Sequence, residues 1–176
     1  MNDINYDTLY EKVLASIPVG NKLVQLEKIL KPMDGIYSSS DGFLGKNESF
    51  WGIVLRDFAT VKELNLTYGQ IADKLESMIM GHGQEFFYEG DFKVVTTFTC
   101  GEQNCPWEDG YTDKASVMLL MPDDGKPFYP GEMLHRENVI QVSGLIPHLI
   151  RDHYFFEGEE SPYRVDPKRI LSLFRE

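Results

Sequence analysis

Both cysteines of the chain, Cys100 and Cys105, and three of its four histidines, His135, His148 and His153, fall within one third of its length. Thiolates and imidazoles bind zinc, and near neutral pH they also serve as nucleophile and base. Two chemistries follow. In the first, Cys100, Cys105, His148 and His153 supply two thiolates and two imidazoles to a zinc ion. In the second, Cys100 or Cys105 is a nucleophile, His148 is its base and Asp152 orients the imidazole.

Spacing bears unevenly on the two. The interval from Cys100 to Cys105 sits at the upper end of the two to four intervening residues usual in a zinc knuckle. His148 and His153, five positions apart, diverge by about 140° on a helix and face opposite sides of a strand. Both therefore reach one ion only if the segment bends; otherwise a site uses both cysteines with one histidine, or adds His135. His148 and Asp152 are four apart, so a helix brings them to one face with Arg151 alongside. Such pairs are also common on surface helices, and no family signature surrounds either cysteine. His153, followed by Tyr154-Phe155-Phe156, reads as a histidine partly buried against aromatics.

The elements that must position these residues lie in the second half. Phe92–Thr99 is rich in β-branched and aromatic residues and reads as a strand, Ala115–Met121 as its antiparallel neighbour, and Val139–Val142 as a third. The first two are joined by Cys100–Lys114, about fifteen residues where most hairpins use two to five, and long ordered loops are often functional. Cysteine, carboxylate, amide and aromatic groups crowd this excursion. Trp107 and Tyr111 are its binding candidates, with Arg151 beyond it, and Trp107 is also suited to pinning the loop to the body. Pro147 suits the first turn of a short helix running to Phe155, and Asp166-Pro167 reads as the cap and first turn of a closing helix. Arg164 is expected to form an internal ion pair.

The first half reads as helical. Leu9, Val13, Leu14 and Ile17 keep helical spacing before Pro18-Val19-Gly20, and Asn21 can cap a second helix stopped by Pro32. Residues 37–42 read as loop. Phe50–Val61 is ambiguous, with helix favoured for its second half. Thr67 and Gln70 form a capping box for Thr67–Met80, with Gly81 as stop and His82 at its end. Leu66–Leu75 resembles the first helix of a helix-turn-helix, but no basic recognition helix follows, so it reads as a core helix. Helices followed by a small antiparallel sheet with helices packed on it define an α+β chain, expected as a single domain over 1–176. Its helical part covers about 1–80 and its sheet-containing part about 86–176.

With 176 residues, 42% of them apolar, the chain can bury a sizeable core without disulfide or metal. No secretory signal is visible in Met1-Asn2-Asp3-Ile4 and no apolar run is long enough to span a bilayer, so a cytoplasmic location with free thiols is expected. A net charge of −11 argues against nucleic acid and suits solubility or a basic protein partner. Phosphate loops, dinucleotide fingerprints, nucleophile elbows and His-Glu-x-x-His pairs are absent. The reading is a small acidic cytosolic interaction protein without catalysis. The alternative is a Cys-His or zinc-assisted enzyme, its site between the Cys100–Lys114 loop and the His148–His153 segment. Oligomeric state is not legible.

Overall fold

Thr67 and Gln70 open the best-specified helix. In the computed structural model the Gln70 N–H donates to Thr67 Oγ1 (3.1 Å) and the Thr67 N–H to Gln70 Oε1 (2.9 Å), the reciprocal capping box. The structure describes residues 5–17, 23–32, 42–80, 86–98, 102–113, 116–122 and 139–175. Four helices come first: α1 (Tyr6–Ser16), α2 (Leu23–Leu30), α3 (Phe50–Glu63) and α4 (Tyr68–Met80). The Asn5 side chain caps α1 by accepting the Thr8 N–H at 2.8 Å. The expected caps and stops at Pro18–Asn21 and Gly81, the loop over 37–41, and His82 lie outside the described residues.

α3 corrects the ambiguous segment, since it is helical from Phe50 onward. The reason lies in its unpaired first-turn N–H groups. Ser49 Oγ accepts the Gly52 N–H, and Glu27 of α2 accepts both the Phe50 N–H (2.6 Å) and the Ser49 hydroxyl. A helix whose first turn is satisfied twice over does not need a strand partner.

Among the described residues six strands follow: β1 (Phe87–Glu89), β2 (Phe92–Phe98), β3 (Gln103–Asn104), β4 (Thr112–Asp113), β5 (Ser116–Pro122) and β6 (Ile140–Ser143). β1, β2, β5 and β6 form an antiparallel sheet in the order β1-β2-β5-β6, with Val94 opposite Leu120 and Leu119 opposite Gln141. The period of two splits the apolar residues. Val94, Met118, Leu120, Ile140 and Val142 join the core formed with the N-terminal helices. Val95, Val117, Leu119 and Met121 form a second cluster with Val139 and Tyr163 on the opposite face. The chain is thus α+β, and its helices and sheet share one core.

α5 (Ile146–His153) leaves β6 through Gly144-Leu145 with Pro147 in its first turn. Arg151 holds it to α4 through Asp73 and Glu76, each at 2.6 Å. The C-terminal segment differs from expectation: after Asp166-Pro167 the chain makes turns and one 3-10 helix, Leu171–Phe174, rather than an α-helix. Asp166 Oδ1 accepts the Lys168 N–H at 2.8 Å, a local turn that competes with helical propagation. Ile170 and Leu173 are both buried, and their three-residue interval suits the tighter helix. Arg164 makes the expected internal pair, a two-pronged contact with the buried Asp57 at 2.6 and 3.0 Å. Among the described residues no helix is long and apolar enough to cross a membrane.

Candidate metal centre

The described part of the excursion between β2 and β5, residues 102–113, is itself a small hairpin. β3 and β4 pair Gln103 with Asp113 and Asn104 with Thr112. The Cys105 N–H continues the ladder to the Tyr111 carbonyl at 2.9 Å. Between them the chain turns through Glu108 (φ 56°) and Gly110 (φ 87°), both left-handed. Glycine tolerates that region without a Cβ clash, which suits position 110. Asp109 sits between them, and its Oδ1 accepts the Tyr111 N–H at 2.9 Å, an Asx turn that leaves Oδ2 free to point elsewhere.

α5 supplies the facing wall. It ends in a left-handed Tyr154, and the Tyr154 and Phe155 N–H groups both reach back to the Leu149 carbonyl, closing the helix at His153. His148 and His153 both turn toward the hairpin, with their Nε2 atoms 3.3 Å apart. The expectation that they diverge unless the segment bends is overturned. That expectation weighed Cβ direction alone, whereas the distal nitrogen of an imidazole lies several bonds beyond Cβ and can be swung back.

Four donor atoms converge as a result. Cys105 Sγ is 3.3 Å from His153 Nε2, and Asp109 Oδ2 is 2.8 Å from His148 Nε2 and 2.9 Å from His153 Nε2. All four lie within 4.8 Å of one another. Around a tetrahedral zinc, two imidazole nitrogens stand about 3.3 Å apart, and nitrogen and thiolate about 3.6 Å. The His148–His153 and Cys105–His153 edges already hold that spacing to within a few tenths of an ångström. The carboxylate edges are about half an ångström short of it, and a small swing of Asp109 opens them.

Asp109 and Asp152 engage the two ring nitrogens of His148 from opposite sides. His148 Nδ1 is 2.8 Å from Asp152 Oδ2, which holds a proton on that nitrogen. In the neutral ring Nε2 is then a bare lone pair facing the Asp109 carboxylate. Burial works against ionisation of Asp109, but the Tyr111 N–H and the His153 ring, with His148 and Cys105 adding to them, outweigh it and bring its pKa down to about 2. Burial lowers the pKa of His153, favouring its neutral form. A lone pair against a carboxylate is repulsive unless His148 takes a second proton or a cation lies between them. A cation satisfies the thiol and the second imidazole as well.

Nucleophilic catalysis asks for a different pattern. A base is oriented through the ring nitrogen that the nucleophile does not use. Here Cys105 and Asp109 face the same nitrogen of His153, and its buried Nδ1 has no hydrogen-bond partner among the described residues. The thiol bonds to His153 rather than to His148, and burial, with the Asp109 charge behind it, pushes its pKa up to about 12. A thiol in that state is a poor nucleophile, although a bound metal ion deprotonates it outright.

Aromatic rings fix both imidazoles. Trp107, 1% exposed, stacks on His153 with centroids 4.2 Å apart and packs against Phe50 and Phe155. It pins the excursion to the core. Tyr111 stacks on His148 at 4.0 Å and remains partly exposed. Arg151 serves the α4–α5 junction. Of the residues expected at the site, Cys105, His148, His153, Asp152, Trp107 and Tyr111 come together, whereas Cys100 and His135 lie outside the described residues. Asp109 is the donor group of this cluster that sequence reasoning missed. Its signal was the Asp-Gly pair, a turn dipeptide that places a carboxylate at the apex of the loop.

Compared with known protein families, curated proteins and solved structures, the chain matches none of them.

Proposed function

We propose that the protein is a zinc-binding module, in which Cys105, Asp109, His148 and His153 hold one ion that ties the β3–β4 hairpin to α5. The convergence of their four donor atoms within 4.8 Å carries this reading. Thiolate with imidazole favours zinc over the hard cations, and the tetrahedral spacing favours it over copper and nickel. Because Oδ1 of Asp109 is engaged by a backbone N–H, the carboxylate binds through one oxygen, giving four-coordination. Uptake of zinc displaces the thiol proton, so affinity rises with pH.

Elemental analysis of the untagged protein, paired with thiol counting under native conditions, tests the reading. One zinc per chain with Cys105 protected supports it; a metal-free protein that takes up none from added zinc rejects it. Asp152 gives an independent check, because a carboxylate on the far nitrogen of a ligating histidine raises its basicity. Asp152→Asn is expected to weaken zinc affinity about 10- to 100-fold, measured by competition with a chelating dye. Unchanged affinity removes Asp152 from the account.

A basic protein partner is a second reading of the surface. It rests on Tyr6, Tyr10 and Leu14, exposed along one face of α1 beside Asp7 and Glu11, an apolar stripe with acidic flanks. Calorimetric titration with a lysine-rich amphipathic peptide tests it, and no heat of binding at low salt counts against it.

A further inference from the structure

We propose that Asp109 is the exchangeable ligand of this centre, and that a small anion from solvent takes the coordination position it vacates. The inference rests on the zinc-binding reading and concerns what the bound ion can accept. Three of the ligands are enclosed: Cys105 and the side chain of His153 are each 4% exposed and that of His148 is 10%, whereas that of Asp109 is 31% exposed. The enclosed three sit in hardware other than the metal. Trp107 stacks on His153, Tyr111 and Asp152 hold His148, and Cys105 is in the backbone ladder.

Asp109 is held differently. It stands at the tip of the turn between two left-handed residues, and a Cβ built on Gly110 meets nothing within 4 Å. Among the described residues nothing crowds the turn at Gly110. Its tie through Oδ1 to the Tyr111 N–H keeps the carboxylate nearby when Oδ2 leaves the ion, so departure and return need only a side-chain rotation. Cys105, His148 and His153 remain, and three protein ligands with an open fourth position is the arrangement of catalytic zinc sites. A divalent ion with one thiolate carries a net single positive charge, which a monoanion such as hydroxide or a carboxylate neutralises. No bond other than the metal–oxygen bond is made or broken in the exchange.

The test uses the cobalt-loaded protein, whose visible absorption reports coordination, with azide as the anionic probe. Azide is expected to shift the wild-type spectrum. In Asp109→Ala, and in the more conservative Asp109→Asn, stoichiometric cobalt is retained and the same shift is reached at about tenfold lower azide or less, because a tethered competitor of roughly millimolar effective concentration is gone. Circular dichroism of both variants guards against misfolding. Loss of cobalt from both folded variants makes Asp109 indispensable and overturns the proposal. So does a spectrum that azide leaves unmoved in every form. Failure of the wild-type chain to bind cobalt or zinc at all overturns the zinc-binding reading itself, and the two failures are distinguished by whether the wild-type protein takes up metal.

Discussion

Cys105→Ala is expected to lose stoichiometric zinc and, with it, the thermal stabilisation that zinc gives the wild-type chain. The thiolate is the only soft donor among the four, and removing it leaves two imidazoles and a carboxylate open to water where sulfur stood. A ligand that binds the folded state alone stabilises it by about 4 kcal/mol at a thousandfold excess over its dissociation constant. For a chain of this length that amounts to roughly 10 °C in Tm. Thermal melts of wild type and variant, with excess zinc and with a chelator, read the effect directly. The expected result is a zinc-dependent rise in the wild type and coincident curves in Cys105→Ala. The metal-free variant should stay folded, because Trp107 anchors the hairpin in the core without the ion. A zinc-dependent rise of equal size in both proteins removes Cys105 from the site.

Arg164→Ala is expected to destabilise the fold by about 3–5 kcal/mol, because it strands Asp57 without a counter-charge in the interior. Asp57 is 2% exposed, and burial already raises its pKa even with Arg164 in place. The guanidinium also donates to the Glu157 carbonyl, so its removal orphans a second buried acceptor. A loss of that size is a large part of a typical total stability of about 5–15 kcal/mol.

The pH dependence follows by linkage. With Asp57 raised in the folded state, that state holds the proton more tightly than the unfolded chain does. Stability of the variant therefore falls as pH rises through the window between the ordinary carboxylate value and the raised folded one, and is regained below it. Urea unfolding of Arg164→Ala across that range is the check. A deficit under about 1 kcal/mol at neutral pH contradicts the assignment, as does a deficit that does not shrink in acid. Replacing Asp57 and Arg164 together by apolar residues of similar volume is expected to recover much of the loss.

Much of this is legible in the sequence wherever local chemistry decides structure. The Thr67–Gln70 box, the α1 periodicity, the β-branched and aromatic run of β2 and the Arg164 ion pair all depend on near neighbours, on residue type or on the cost of burying charge. Segments decided by distant contacts were less legible. α3 begins at Phe50 because Glu27, on another helix, satisfies its first turn. The closing segment was missed for a local reason instead: Asp166 accepts the Lys168 N–H two residues on, a turn that competes with the cap the Asp-Pro pair suggested.

The site divides in the same way. Residue type drew attention to Cys105, His148 and His153, and the i,i+4 rule found the His148–Asp152 pair. Asp109 escaped because the excursion holds several carboxylates, and only the left-handed turn at Glu108 and Gly110 decides which one points inward. The five-residue histidine spacing was misjudged because helical wheels describe where side chains start and not where their distal atoms end.

The most direct measurement is X-ray absorption at the zinc edge of the protein loaded with one equivalent of zinc. The account predicts a first shell of one sulfur at about 2.3 Å and three nitrogen or oxygen atoms at about 2.0–2.1 Å, with the imidazole signature of two histidines. A shell of nitrogen and oxygen only, or zinc that washes away before the spectrum is taken, contradicts it.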